Sequence, residues 1–204
     1  MTVRAVAFDI GGVLERMEPA DALLARWRSR LGLGPDEFDA AMARVDPGGL
    51  SATGGLSEAG YRQQLAAAFG LSPAQAGEFM AELWDWYCGE LDEELTSYAT
   101  SLRGRYLTAI LSNSADGARR EEQARYRFPD LFDLIIYSHE VGLAKPDPRA
   151  YQLLLDRLGV APTELIFLDD LPENIDTARE LGIQAILHHS TPESIDAISA
   201  LIEG

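Results

Sequence analysis

Five short apolar segments recur along the chain, and each closes on a polar turn. Residues 3–8 (VRAVAF) run into Asp9 and the pair Gly11-Gly12. Residues 106–111 end on Ser112-Asn113, 133–137 on Ser138, 165–168 on Asp169-Asp170, and 184–187 on His188. Short runs that are apolar throughout, rather than alternating, read as strands buried on both faces. Helical patterns lie between them. One covers 116–127. A second covers 147–158, with Tyr151, Leu154, Leu155 and Leu158 at helical spacing and Gly159 as its stop. A third covers 172–181, with Pro172 in its first turn and Gly182 after its end. Strands alternating with helices predict an α/β fold built on a doubly wound, mostly parallel sheet.

One stretch breaks the alternation. From Pro19 to Gly104 the sequence reads as helix after helix: Ala22, Leu23, Leu24, Trp27 and Leu31 in one, 38–45 in the next, then 58–69 opened by Ser57 and closed by Gly70. Ser72, Pro73 and Gln75 form an N-cap, first-position and third-position set for a further helix carrying Phe79, Leu83, Trp84 and Trp86. So many residues cannot be one crossover. They predict a small helical module inserted after the first strand, with residues 1–16 and 105–204 as the α/β core and 17–104 as the insertion. The glycine-rich run 46–55 inside it reads as a mobile loop.

The 204 residues leave room for this core and insertion and nothing larger. Acids outnumber bases 33 to 17, a formal charge of −16, which argues against nucleic-acid and membrane partners. Cys88 is the lone cysteine, so no disulfide forms within the chain, and with no leader-like start a cytoplasmic location is expected. A homodimer is left open. Lys145 is the lone lysine among the 17 basic residues.

In open α/β sheets ligands sit beyond the carboxyl ends of the strands. Asp9, Ser112 and the Asp169-Asp170 pair all fall at such ends, and Lys145 in the loop after the third strand. Taken singly, each has an ordinary reading: Asp9 as a turn residue, Ser112-Asn113-Ser114 as loop chemistry, one of Asp169 and Asp170 as a helix cap, Lys145 as a surface cation. Together they bring three carboxylates, a hydroxyl and an ammonium to one rim. Carboxylates so gathered suit Mg²⁺ with phosphate oxygens, and a carboxylate can itself attack phosphorus. His139, His188 and His189 read as structural or surface residues. Trp84, Trp86 and Tyr87 read as insertion core, with pocket lining as the lesser alternative.

The segments FDIGGVL, AILSNS, VGLAKPDPRAY and LIFLDDLPENIDTARELG, in that order, resemble the four motifs of the haloacid dehalogenase-like (HAD) hydrolases, whose core is Rossmann-like. The helical insertion resembles their type-one cap. The resemblance implies Asp9 as nucleophile, Ser112 with Asn113 and Lys145 for phosphate, and Mg²⁺ held by Asp9, Asp169, Asp170 and the backbone carbonyl of Gly11. It further implies a Mg²⁺-dependent phosphatase or phosphotransferase that acts on a small phosphorylated metabolite through an aspartyl phosphate.

Gly11 departs from that pattern. The family's phosphatases carry a second Asp there as general acid and base, a contribution typically worth about 10²–10⁴-fold. Good leaving groups would suffer least from its loss, and Glu15, Glu18 or an insertion residue is a candidate substitute. Two other readings stay open. One is a 2-haloacid dehalogenase, disfavoured because Asp169 and Asp170 beside Asp9 would be costly without a metal. The other is a weakened relative that binds phosphate or protein without turnover.

Overall fold

The computed structural model describes residues 2–203. The chain starts with β1 (Ala5–Phe8), then β2 (Glu15–Arg16) and four helices, α1 (Asp21–Leu31), α2 (Pro35–Met42), α3 (Glu58–Phe69) and α4 (Pro73–Cys88). It returns through β3 (Glu90–Leu91), α5 (Glu93–Ser101) and β4 (Leu107–Ser112). Two helices, α6 (Ala118–Tyr126) and α7 (Phe128–Leu131), lead to β5 (Leu134–Tyr137), and α8 (Ser138–Val141) with α9 (Pro148–Leu158) to β6 (Leu165–Asp169). Helix α10 (Pro172–Glu180), β7 (Gln184–Leu187) and α11 (Thr191–Glu203) complete the fold. Among the described residues no helix is long and apolar enough to cross a membrane.

The main sheet is parallel throughout, in the order β5-β4-β1-β6-β7. The five expected strands are these five. Their period of two divides the core. Val6, Phe8, Ile110, Ile166 and Leu168 face one layer, which also takes in Ile198 and insertion residues such as Trp27 and Phe79. Ala5, Ala7, Ala109, Leu111 and Phe167 face the other, against Tyr151, Leu154 and Leu155 of α9 and Ile175 of α10. Being covered on both faces, these strands can be apolar without alternation.

The order also fixes where a ligand fits. From β1 the chain builds outward through β4 and β5, then crosses back to lay β6 and β7 on the other side. The crevice where strand order reverses therefore opens between β1 and β6, at their carboxyl ends. Phe8 is in register with Leu168, and the Asp9 amide donates to the Leu168 carbonyl at 2.9 Å. Asp9 and Asp169 thus leave the sheet side by side.

The insertion differs from expectation in four respects. A two-stranded antiparallel ribbon, β2 with β3, joins its entry and exit, pairing Glu15 with Leu91 and Arg16 with Glu90. Helix α5 lies beyond that ribbon and packs on α11, where the Tyr98 and Ser199 hydroxyls meet at 2.9 Å. The glycine-rich run holds a defined turn. Asp46 accepts from the Leu50 amide at 2.7 Å and from the Ser51 amide at 3.1 Å, winding Leu50–Thr53 into a 3-10 turn. The structure also extends α2 back to Pro35, a favourable first helical position that the apolar spacing alone did not reveal.

Candidate active site

Behind Asp9 the chain turns back sharply on the Ile10 carbonyl, which accepts from the amides of Val13, Leu14 and Glu15 at 3.1, 2.8 and 2.9 Å. Gly12 makes the turn feasible. Its φ is +75°, and a Cβ there would stand 2.3 Å from an Asp170 carboxylate oxygen. The turn and the second acidic residue are therefore packed directly together.

Lys145 sits between two carboxylates. Its Nζ lies 2.7 Å from Asp9 Oδ1 and 2.6 Å from Asp169 Oδ2, and its side chain is 1% exposed. The backbone of Lys145 is clamped by Asn113, whose Nδ2 donates to the Lys145 carbonyl at 2.7 Å while its Oδ1 accepts from the Lys145 amide at 2.8 Å. Asp169 is fixed in turn. It accepts from the Leu171 amide at 2.9 Å and from Asn174 Nδ2 at 2.9 and 3.1 Å. Ser112 is buried at the end of β4, and its hydroxyl makes only a long contact, 3.4 Å, to the Asn113 carbonyl.

Carboxylate oxygens of Asp9, Asp169 and Asp170 all lie within 4.8 Å of one another. Three carboxylates against one buried ammonium leave two negative charges without a counterion. Burial pushes the Asp9 carboxyl up, and although Lys145 pulls it back, the neighbouring Asp169 adds to the rise and it comes to about 7. Asp170 is likewise raised, by burial and then by Asp169. The donor set, all hard oxygen with a net charge that a dication cancels, fits Mg²⁺.

A second buried acidic group adjoins this one. Glu15 is 1% exposed, and neither of its carboxylate oxygens has a hydrogen-bond partner among the described residues. Burial, then Glu122 and Asp9, raises its carboxyl to about 10. Glu122, on α6, is fully buried and accepts from the Tyr137 hydroxyl. Burial raises it to about 7. Glu15 therefore holds its proton at neutral pH, whereas Glu18 is exposed at the surface.

Of the residues singled out from sequence, Asp9, Ser112, Asn113, Lys145, Asp169 and Asp170 converge on this crevice. The Asn113 side-chain amide is committed to the Lys145 backbone. Neither Asp169 nor Asp170 is the N-cap of α10; that position is Leu171. His139 and His188 each pair with a serine hydroxyl at 2.8 Å, Ser114 and Ser194 respectively, in keeping with a structural reading. Trp84 and Tyr87 line a cavity, while the Trp86 indole donates to the Glu18 carbonyl at 2.7 Å. Sequence reasoning assigned nothing to Asn174, Tyr137 or Glu122. Asn174 stood in a quoted motif, five residues after Asp169 and so in the next helix's first turn; Glu122 gave no signal within a strongly charged helix.

A family model for haloacid dehalogenase-like hydrolases matches residues 3–182. A mouse protein, bifunctional epoxide hydrolase 2, is 28% identical over 214 residues, which cover 96% of this chain but 38% of that protein. The chain thus spans well under half of that relative's length. D-ribitol-5-phosphate phosphatase of Bacteroides thetaiotaomicron is 26% identical over 191 residues, 89% of this chain and 90% of its own. Among solved structures, a HAD family enzyme of B. thetaiotaomicron in complex with magnesium and inorganic phosphate superposes with a TM-score of 0.76 at 21% identity, covering 92% of this chain and 94% of that one. At that identity the likeness shows the fold.

Proposed function

The chain belongs to the haloacid dehalogenase-like hydrolases, and from that footing we propose that it is a Mg²⁺-dependent phosphatase of small phosphorylated metabolites. The observation that carries this reading is Lys145, wedged at 2.7 and 2.6 Å between Asp9 and Asp169 inside a cluster of three carboxylates. A buried ammonium and a dication-matched acidic set are what a phosphoryl dianion needs in order to approach a carboxylate nucleophile.

Asp9 attacks phosphorus, the ester oxygen leaves with its electron pair and takes up a proton, and the phosphoryl group rests on Asp9 as an acyl phosphate. Water then attacks that phosphorus, releasing inorganic phosphate and returning the Asp9 carboxylate. Lys145 and the Ser112 hydroxyl hold phosphoryl oxygens through both steps. Asn113 fixes the Lys145 backbone and Asn174 fixes Asp169, so both act as positioning residues. Asp9, Asp169, Asp170 and the Gly11 carbonyl would hold Mg²⁺, which when bound offsets negative charge gathering on the phosphoryl oxygens. The helices between the ribbon strands, residues 17–89, form the cap over this site. We read the cap as ending at the ribbon rather than at 104, a reading supported by the packing of α5 on α11. We place the protein in the cytoplasm, in keeping with its one buried thiol, Cys88.

The test is phosphate release from acetyl phosphate and an aryl phosphate with and without Mg²⁺. Wild type should turn over only with the metal, and Asp9→Asn should lose roughly 10⁴-fold or more with its circular dichroism unchanged. Chloride release from chloroacetate without metal would instead make the protein a dehalogenase. Tight Mg²⁺-dependent binding of a phosphate analogue without turnover would make it a binding protein.

A further inference from the structure

A cavity of different chemistry lies against the loop that follows Ser112. It encloses about 190 Å³, between α3 and α4 of the insertion and the loop after β4. Leu56, Tyr61, Met80, Leu83, Trp84 and Tyr87 form its walls. The polar groups at its rim are spent on one another. Glu58 accepts from the Trp84 indole at 2.7 Å and from Arg120 at 3.0 and 3.1 Å, while the Glu58 amide donates to Asp116 at 2.9 Å. Trp84 packs edge-on against Tyr87, ring centroids 5.2 Å apart. The interior is therefore left apolar.

Two lining residues tie this cavity to the reacting centre. Ala115 follows Ser112 by three residues in the same loop. Tyr87 lines the cavity from α4, and burial first, then the charges of Glu122, Glu15 and Asp9, raises its hydroxyl. A second opening, a broad groove past Gly12 and Asp170, is lined by Glu90, Asp92, Glu93 and Glu94 against a single guanidinium, Arg16, with His188 and His189, so its net charge is acidic and disfavours an anionic ester. An apolar cavity of about 150 Å³ accommodates one benzene ring, so this one suits about six to eight carbons.

We propose that the cavity between α3, α4 and the loop after β4 receives the apolar organic group of the phosphorylated substrate, an aryl or alkyl group of about six to eight carbons. The proposal rests on the phosphatase reading and sharpens it, since it selects an apolar phosphate over a polyol phosphate. Gly11 favours a leaving group that departs without a proton donor, so an acyl phosphate is the simplest probe. Along the series acetyl, butyryl, hexanoyl and octanoyl phosphate the leaving carboxylate is chemically constant, and only the chain length changes.

With Mg²⁺ present, kcat/KM should rise about fourfold per methylene up to roughly six carbons and then level as the cavity fills. Hexanoyl phosphate should exceed ribitol 5-phosphate. In Leu83→Asn, which keeps the branched shape and makes the wall polar, the hexanoyl-to-acetyl ratio should fall towards one. Binding gives a second readout on wild type alone: hexylphosphonate should inhibit at a lower concentration than ethylphosphonate, whether or not the variant folds. A flat or falling profile, with phosphate still released from acetyl phosphate, overturns this inference and leaves the phosphatase reading standing. Release from none of the esters overturns both.

Discussion

A Cβ built on Gly11 would stand 2.9 Å from the terminal methyl of Met17, so the Met17 side chain fills the place where a second acid would project. The backbone of Gly11 is not in the left-handed region, and the obstacle is the far end of a flexible side chain that is 39% exposed. Gly11→Asp should therefore fold and raise kcat on alkyl phosphates by roughly 10²-fold, while acyl phosphates gain little. Adding Met17→Ala should raise it again. An unchanged alkyl rate, with metal binding intact, would mean that another group already donates the proton, and the protonated Glu15 carboxyl would be the first to test. Glu122 gives a prediction of another kind. Its carboxyl binds a proton more tightly folded than unfolded, so its stabilising contribution is complete below about 4.5 and drains as pH rises to about 7. Glu122→Gln fixes the neutral form and still accepts from Tyr137. The variant should match wild type near pH 4.5 and exceed it at pH 8 by up to about 3 kcal/mol, measured by urea unfolding at both values. Parallel pH profiles would show that Glu122 is not the group responsible.

At the scale of elements, the insertion touches the core through a turn. The 3-10 turn Leu50–Thr53 and Gly54 lie on α8, and a Cβ on Gly54 would fall 2.1 Å from the His139 carbonyl oxygen. With φ at +73° as well, Gly54→Ala must lift the turn off α8. We expect a loss of about 1–3 kcal/mol and a raised KM with kcat nearly unchanged. A raised KM would mark this contact as part of cap closure, and a normal one would reduce it to packing. Local chemistry made some elements legible from sequence. Ser72 and Gln75 bond reciprocally at the start of α4, the Gln75 amide to the Ser72 hydroxyl at 3.3 Å and the Ser72 amide to the Gln75 side chain at 3.0 Å, because a capping box needs only its own four residues. Asp9, Lys145, Asp169 and Asp170 were legible for the same reason, standing in contiguous motifs at strand ends or, for Lys145, in the loop beyond one. The β2–β3 ribbon was not, since Glu15 and Leu91 are two-residue strands 76 positions apart and neither has a pattern of its own. Glu122 was hidden more deeply, as its hydrophilic helix buries it only once α6 is packed against the sheet. The turn inside the glycine-rich run was hidden because its composition shows only freedom, while its shape depends on Asp46 accepting from the Leu50 and Ser51 amides.

For the whole molecule, a formal charge of −16 sets the long-range field while Lys145, its side chain 1% exposed, acts only at contact. Many phosphate-handling proteins draw their substrate in with exposed cations, and added salt then slows them. Here the sign is reversed. On the phosphatase reading, an incoming phosphate dianion meets net repulsion outside the crevice and attraction only within it, where Lys145 stands and a cation would bind. At about 10 mM ionic strength the repulsion extends roughly 30 Å, and at about 150 mM roughly 8 Å. Raising NaCl between these values, at constant saturating Mg²⁺, should therefore increase kcat/KM for a dianionic ester several-fold, mainly by lowering KM. The same screening relaxes repulsion among surface carboxylates, so the unfolding midpoint in urea should rise in parallel. A fall in kcat/KM over that range would show instead that the field of the crevice and its cation already dominates at the distance where substrate is captured, and that the acidic surface lies outside the approach path.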